Sequence, residues 1–134
     1  MAVRLSPSAS LDTQFFWDGI QQHKLLIQRC TACGELRHPP RPMCATCHSL
    51  EWDSVEASGR GTLYSYCVQR HPLLPWQTDA SIVGLVELEE GTRLVANLID
   101  VDPDDVRIGS AVRVTFETFD GDLVLPAFTP EDTP

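Results

Sequence analysis

The second half of the chain alternates apolar and polar residues with a period of two, which is typical of a β-strand with one buried face. In the segment AVRVTFETF, residues 111–119, valine and phenylalanine alternate with arginine, threonine and glutamate. Five runs rich in β-branched and aromatic residues predict strands. They occupy residues 59–70, 81–88, 92–101, 111–119 and 123–128.

Turn residues separate these five runs. The tripeptide EEG at 89–91 predicts a hairpin, and residues 102–109 form a longer connection between the third and fourth runs. Five short strands separated by such turns favour a mainly β protein with a five-stranded Greek-key barrel of the OB type. The predicted units are an N-terminal arm and helix over 1–23, a cysteine-containing ribbon over 24–57, the barrel over 58–129 and a tail over 130–134.

The first segment predicts one short helix, over about residues 12–23. Phe15, Phe16 and Ile20 recur near helical spacing, and a threonine or aspartate precedes them as a possible cap. Its aromatic residues have two interpretations. They form a face that docks onto the protein's own body, or Phe15, Phe16 and Trp17 contact a partner.

Cysteine carries the strongest chemical signal. The stretch CTACGELRHPPRPMCATC, residues 30–47, contains two CxxC pairs separated by ten residues. Such pairs supply the four soft ligands of a tetrahedral zinc site, so we predict structural zinc on Cys30, Cys33, Cys44 and Cys47. Iron has the same ligand requirement and stays open, whereas a dithiol redox centre needs a single pair.

Composition and charge narrow the possible environments and partners. The chain has 134 residues and a net charge of −9, and residues 71–134 hold thirteen Asp/Glu against three Lys/Arg. Such a surface repels phosphate backbones and disfavours nucleic acid as a partner. No apolar run is long enough to cross a bilayer, and the start lacks the pattern of a secretory signal, so we expect a cytoplasmic protein.

The remaining chemistry-bearing residues do not form a convincing catalytic set. Cys67 and His71 lie four residues apart on a predicted strand, about 13 Å, too far for a nucleophile and its base. We therefore interpret Cys67 as a small buried apolar residue. His48 follows the last CxxC pair but is not needed as a ligand.

A few cationic and aromatic residues could meet an anionic, ring-bearing ligand. Arginine binds phosphate through two parallel hydrogen bonds, and tryptophan offers a stacking face. The candidates are Arg41, Arg70, His71 and Trp76. The alternative for each arginine is a solvated ion pair with one of the many carboxylates.

The order of several motifs resembles the family known as domain of unknown function thirty-five. The motifs are FFWDGI, LLIQRC, the double CxxC segment with its PPRPMC approach, EASGRGTLYSY, IVGLVELEEG and VRIGSAVRVTFE. The resemblance covers residues from about 12 to 128. The resemblance implies a rubredoxin-like zinc ribbon joined to an acyl-CoA-associated OB-fold. It also implies a non-catalytic subunit that binds a thiolase-like enzyme, acyltransferase or aldolase in a hetero-oligomer.

Three functional hypotheses follow. The leading one is an accessory subunit that stabilises a thiolase-like partner and helps to hold a CoA thioester. The alternative is a nucleic-acid-binding module, because zinc ribbons and OB-folds both serve that purpose, although the acidic charge disfavours it. The third, an independent enzyme, requires turnover by this chain alone.

Overall fold

The computed structural model describes residues 6–71 and 80–131 of the chain. One helix, α1, spans Gln14–Gln21, and a short 3-10 turn spans Pro103–Asp105. The two described stretches contain eight strands: β1 Leu26–Cys30, β2 Leu36–Arg37, β3 Trp52–Glu56, β4 Arg60–Gln69, β5 Ser81–Leu88, β6 Arg93–Leu98, β7 Ala111–Phe119 and β8 Leu123–Pro130. The protein is therefore mainly β, as predicted.

Five of these strands close into a barrel in the order β4-β5-β6-β8-β7, with β7 pairing back onto β4. All neighbours are antiparallel except β6 and β8, which run parallel with Leu98 opposite Phe128. This arrangement confirms the predicted five-stranded OB-type barrel. The hairpin at 89–91 is present, closed by a 2.8 Å hydrogen bond from the Leu88 amide to the Thr92 carbonyl.

Strand β4 departs from a simple alternation because it contains a bulge between Leu63 and Ser65. The extra residue reverses which face the later side chains occupy. Tyr66 and Val68 consequently pack against the core, whereas Cys67 is exposed. The interpretation of Cys67 as a buried apolar residue is therefore wrong.

Gly61, the second glycine of the GRG segment at the start of the barrel, has a steric role. A Cβ atom at Gly61 would lie 2.5 Å from the carbonyl oxygen of Glu87 on the neighbouring strand β5. Real Cβ atoms do not approach backbone oxygen so closely, so only glycine fits the pairing at this point.

A second, three-stranded sheet carries the cysteines, in the order β2-β1-β3. Arg29 on β1 and Asp53 on β3 face each other across the sheet and form a two-pronged ion pair, with nitrogen–oxygen distances of 2.8 and 2.6 Å. The guanidinium donates to both carboxylate oxygens and holds the pKa of Asp53 below its usual value. The pair thereby ties the two longer strands of this sheet together.

Helix α1 is shorter than the predicted 12–23 because the chain reverses at His23, which has a φ of 60°. The helix buries Phe16, Gly19 and Ile20. A Cβ at Gly19 would lie 2.8 Å from the Leu26 side chain, so glycine allows the helix to approach β1. In residues 6–71 and 80–131, no helix is long and apolar enough to span a bilayer.

Helix, ribbon and barrel share one hydrophobic core. Ile20 of the helix, Ile27 of β1 and Phe128 of β8 are at most 2% exposed and belong to the same cluster of contacting side chains. The small ribbon therefore does not fold around a core of its own, and its cysteines are held against the barrel.

Candidate metal centre

The structure gathers the four predicted cysteines into one cluster. Their sulfur atoms all lie within 4.8 Å of one another. Cys30 Sγ is 3.5 Å from Cys47 Sγ, and Cys33 Sγ is 3.6 Å from Cys44 Sγ. Four thiolates at about 2.3 Å from a tetrahedral zinc ion are roughly 3.8 Å apart, so these spacings fit such an ion closely.

The two CxxC turns have nearly the same backbone. In the first, the Gly34 amide donates to the Cys30 carbonyl at 2.8 Å, and in the second the His48 amide donates to the Cys44 carbonyl at 2.9 Å. Both residues have a positive φ, +82° for Gly34 and +64° for His48. His48 thus occupies the position of Gly34 in the second turn, and its role is to reverse the chain.

Backbone amides also point at the sulfur atoms. The Cys33 amide donates to the sulfur of Cys30 and, with sulfur–sulfur hydrogen bonding, lowers the pKa of that thiol to about 6. The Cys47 amide lowers the pKa of Cys44 in the corresponding way. Amide donors stabilise negative charge on sulfur, which is the form that binds a metal.

The other cysteine in each pair behaves differently. The Glu35 amide lowers the pKa of Cys33, but burial and hydrogen bonds with neighbouring sulfur atoms raise it to about 12. In each turn the first cysteine is buried and the second is exposed. Without a cation, some of the four thiols therefore keep their protons. Binding of a metal cation would allow all four to ionise to thiolates.

The donor set determines what a bound metal can do here. Four thiolates complete a tetrahedral shell and leave no coordination position for water or substrate. A bound ion would cross-link residues 30–33 with residues 44–47 and would not act as a Lewis acid. The geometry fits a structural zinc ion, and the ligand type alone is also compatible with iron.

The predicted ligand residues do not form one group in the described structure. Arg41 lines a cavity together with Glu87 and Arg93, near the β5–β6 hairpin. Arg70 follows the end of β4, where Gln69 pairs with Ser81 at the opposite end of β5. Six residues of strand separate these ends, roughly 20 Å. The exposed Arg70 and His71 are adjacent in the chain, and Trp76 lies outside the described residues.

The helix aromatics pack against the protein's own ribbon. Phe16 is 5% exposed, with its ring 5.3 Å from His38, and the Phe15 ring is 4.8 Å from that of Trp52. This arrangement favours the first interpretation of the helix, as a face that docks onto the same chain. Phe16 is in the core, whereas Phe15 and Trp17 keep partly exposed surfaces.

Comparisons with known proteins agree with both halves of this architecture. Two family models match in succession: ChsH2, rubredoxin-like zinc ribbon domain, over residues 17–53, and ChsH2, C-terminal OB-fold domain, over residues 54–117. The chain is also 33% identical to a DUF35 domain-containing scaffold protein of Methanocaldococcus jannaschii, with 79% of each chain covered. The chain belongs to the DUF35 family. Its ribbon is therefore a zinc ribbon, as predicted.

Two further similar proteins give context. The solved structure described as Ltp2-ChsH2(DUF35) aldolase is 47% identical, with a TM-score of 0.89 over 92% of this chain and 98% of that chain. The probable enoyl-CoA hydratase alpha subunit of Thermomonospora curvata is 46% identical over 96% of this chain. The match covers 40% of that protein, so the chain spans about two fifths of the length of the first curated relatives it matches.

Proposed function

We propose that this DUF35 chain is a non-catalytic accessory subunit of a thiolase-like enzyme, an acyltransferase or aldolase that acts on acyl-CoA thioesters. The partner supplies the nucleophile and the bases, and the bond made or broken lies next to the thioester carbonyl. This chain stabilises the partner in a hetero-oligomer and helps to hold the CoA.

The observation that carries this proposal is the similarity to the Ltp2-ChsH2(DUF35) aldolase. At 47% identity and a TM-score of 0.89, the likeness extends over nearly the whole of both chains. Proteins this similar commonly keep the same binding surfaces, so an aldolase-type partner is the first to test. The scaffold description of the Methanocaldococcus relative supports the same kind of role.

The metal centre supports a structural contribution by this subunit. We propose that zinc occupies the four thiolates and fixes the two CxxC turns relative to each other. Since the ribbon packs into the same core as helix and barrel, this cross-link also restrains how the ribbon packs against them. The saturated shell leaves acyl-CoA chemistry to other groups.

The CoA contribution rests on exposed cationic side chains. Arg70 and His71 lie next to each other where β4 ends, and they offer donors for a phosphate group of CoA. Arg41 lies far from that end of the barrel. We therefore assign the predicted CoA contact to Arg70 and His71, with Trp76 as the predicted stacking residue.

Co-expression with the thiolase-like protein of the same genome tests the proposal. We expect the two chains to co-purify as one species in size-exclusion chromatography, and CoA-ester turnover to require both. The Arg70→Gln/His71→Gln double variant should still assemble but show a raised KM for the CoA ester, whereas Arg113→Gln should behave as wild type. A thiolase-like enzyme that is fully active and soluble alone would contradict the proposal.

A further inference from the structure

A second polar site lies where the zinc ribbon meets the barrel. Here a cavity of about 380 Å³ opens between β2 with its following loop and the β5–β6 hairpin. Arg37 and Arg41 come from the ribbon side, and Thr92 and Arg93 from the barrel side. The chain has a net charge of −9, yet three arginine side chains line this one cavity.

Arg37 is the unusual member of this cavity. It is 5% exposed, and its Nε and Nη2 both donate to the carbonyl of Arg41, at 3.2 and 2.8 Å. Among the described residues, its Nη1 has no hydrogen-bond partner and no carboxylate forms an ion pair with it. A buried cation without an anionic partner is costly, so the site favours the arrival of negative charge.

The barrel wall carries a matching feature. The hydroxyl of Thr92 is buried and also lacks a hydrogen-bond partner within residues 6–71 and 80–131. Unpaired buried polar groups are rare in proteins, and here two residues that line one cavity from opposite sides each have one. Both groups can donate a hydrogen bond to an oxygen atom.

The carboxylates at this cavity already have partners. Glu87 accepts a hydrogen bond from Arg93 at 3.2 Å, and Glu35 accepts one from the hydroxyl of Thr46. The side chain of Arg41 is exposed at the cavity. Glu35 keeps its negative charge, because the hydroxyl that donates to it is neutral, so Arg37, Arg41 and Glu35 together leave one net positive charge at the cavity.

We propose that this cavity binds an oxyanion, a phosphate or a carboxylate group carried by a ligand, between the arginines of the ribbon and Thr92 of the hairpin. Arg41 meets the anion directly at the rim, and Arg37 provides the fixed positive charge behind it. The site is separate from the Arg70 end of the barrel. Binding at this site needs neither a thiolase-like partner nor CoA, so this proposal can be tested independently of the proposed function.

Arg41→Gln is a clean variant for this proposal. Among the described residues, the hydrogen bonds of Arg41 are made by its backbone: its amide donates to Gln28 Oε1 at 2.8 Å, and its carbonyl accepts from Arg37. The substitution leaves both in place. Arg113→Gln is the matched control, because Arg113 is an exposed arginine on β7 that does not line this cavity.

The experiment titrates the metal-loaded full chain with inorganic phosphate or with succinate at constant ionic strength. Isothermal calorimetry measures affinity, and proton–nitrogen spectra follow the Nε–H signal of Arg37. We expect one-to-one binding of at least one probe and a shift of that signal. Arg41→Gln should weaken binding at least about tenfold, because a charge-assisted hydrogen bond is lost, whereas Arg113→Gln should change it less than about twofold.

The two probes distinguish the two sources of the oxyanion. Binding of phosphate alone assigns a phosphorylated ligand, and binding of succinate alone assigns a carboxylate. Thr92→Val provides a second check, since it removes the hydroxyl at nearly constant size and should also weaken binding. The proposal is overturned if neither probe saturates by about 10 mM, or if Arg41→Gln and Arg113→Gln weaken binding equally.

Discussion

Replacing Cys44 with serine should remove the metal and loosen the ribbon without unfolding the barrel. Cys44 is 1% exposed and its sulfur is 3.6 Å from that of Cys33, so a serine oxygen would leave a three-thiolate site. Structural zinc in small domains is bound with about 10–16 kcal/mol, or about 3 kcal/mol for each of four ligands. Affinity should therefore fall at least about 100-fold.

The chain contains its own control for this substitution. Cys67→Ser changes the fifth cysteine, which is exposed on β4 and outside the cluster. Elemental analysis should find one zinc per chain in the wild type and in Cys67→Ser, and substantially less in Cys44→Ser. The same comparison reports whether iron occupies the site.

Hydrogen exchange then locates the structural effect. In Cys44→Ser the amides of Gly34 and His48, which close the two CxxC turns, should exchange faster than in the wild type. Amides in the centre of β5, around the fully buried Val86, should keep their protection. The reasoning is refuted if Cys44→Ser retains full metal and unchanged exchange, or if Cys67→Ser loses as much metal.

Three further predictions concern the barrel, the ribbon and the charge. Gly61→Ala should destabilise the protein by about 1–3 kcal/mol in denaturant unfolding, because its Cβ would meet the Glu87 carbonyl at 2.5 Å; an unchanged midpoint would contradict this packing. Burial lowers the pKa of His38, so as pH falls below 6.5 the unfolded chain takes up the proton first and stability drops. His38→Phe keeps a ring against Phe16 but cannot take up the proton, so its free energy of unfolding should fall less than that of the wild type between pH 7.5 and 5.5. An equal fall in both proteins would count against this role of His38. Filter binding at low salt should detect no submicromolar affinity for single-stranded oligonucleotides, and such affinity would favour the nucleic-acid hypothesis.

The barrel strands were predictable because their faces differ in environment. Strand β5 alternates partly buried and buried residues along its whole length, and its observed bounds equal the predicted run 81–88. Strand β7 likewise occupies the predicted 111–119. Where one face of a strand meets the core, the period of two appears directly in the sequence.

Local irregularities of the strands and turns could not be predicted from the sequence because they depend on how strands pair in the folded protein. The bulge after Leu63 turns Cys67 outward, and no residue type in β4 predicts this bulge. Strand β2 contains only Leu36 and Arg37, and its extended form comes from pairing with β1. The same holds for His48: its place directly after a CxxC pair can be read from the sequence, but its positive φ, like that of Gly34, is visible only in the structure.

The metal site and the ligand residues illustrate two levels of predictability. Ligand spacing encodes a four-cysteine cluster because each CxxC turn brings two sulfur atoms to one side. The separation of Arg41 from Arg70 depends on which ends of the strands the ribbon contacts. The partnerless Nη1 of Arg37 and hydroxyl of Thr92 belong to elements far apart in the chain, so only the folded structure brings them to one cavity.

Native mass spectrometry of the complex formed with a thiolase-like protein of the same genome tests the central claim most directly. The account predicts one assembly whose mass contains both proteins and one zinc ion for each copy of this chain, and which falls apart when the zinc is removed. Two separate species, or an intact assembly that contains no metal, would contradict it.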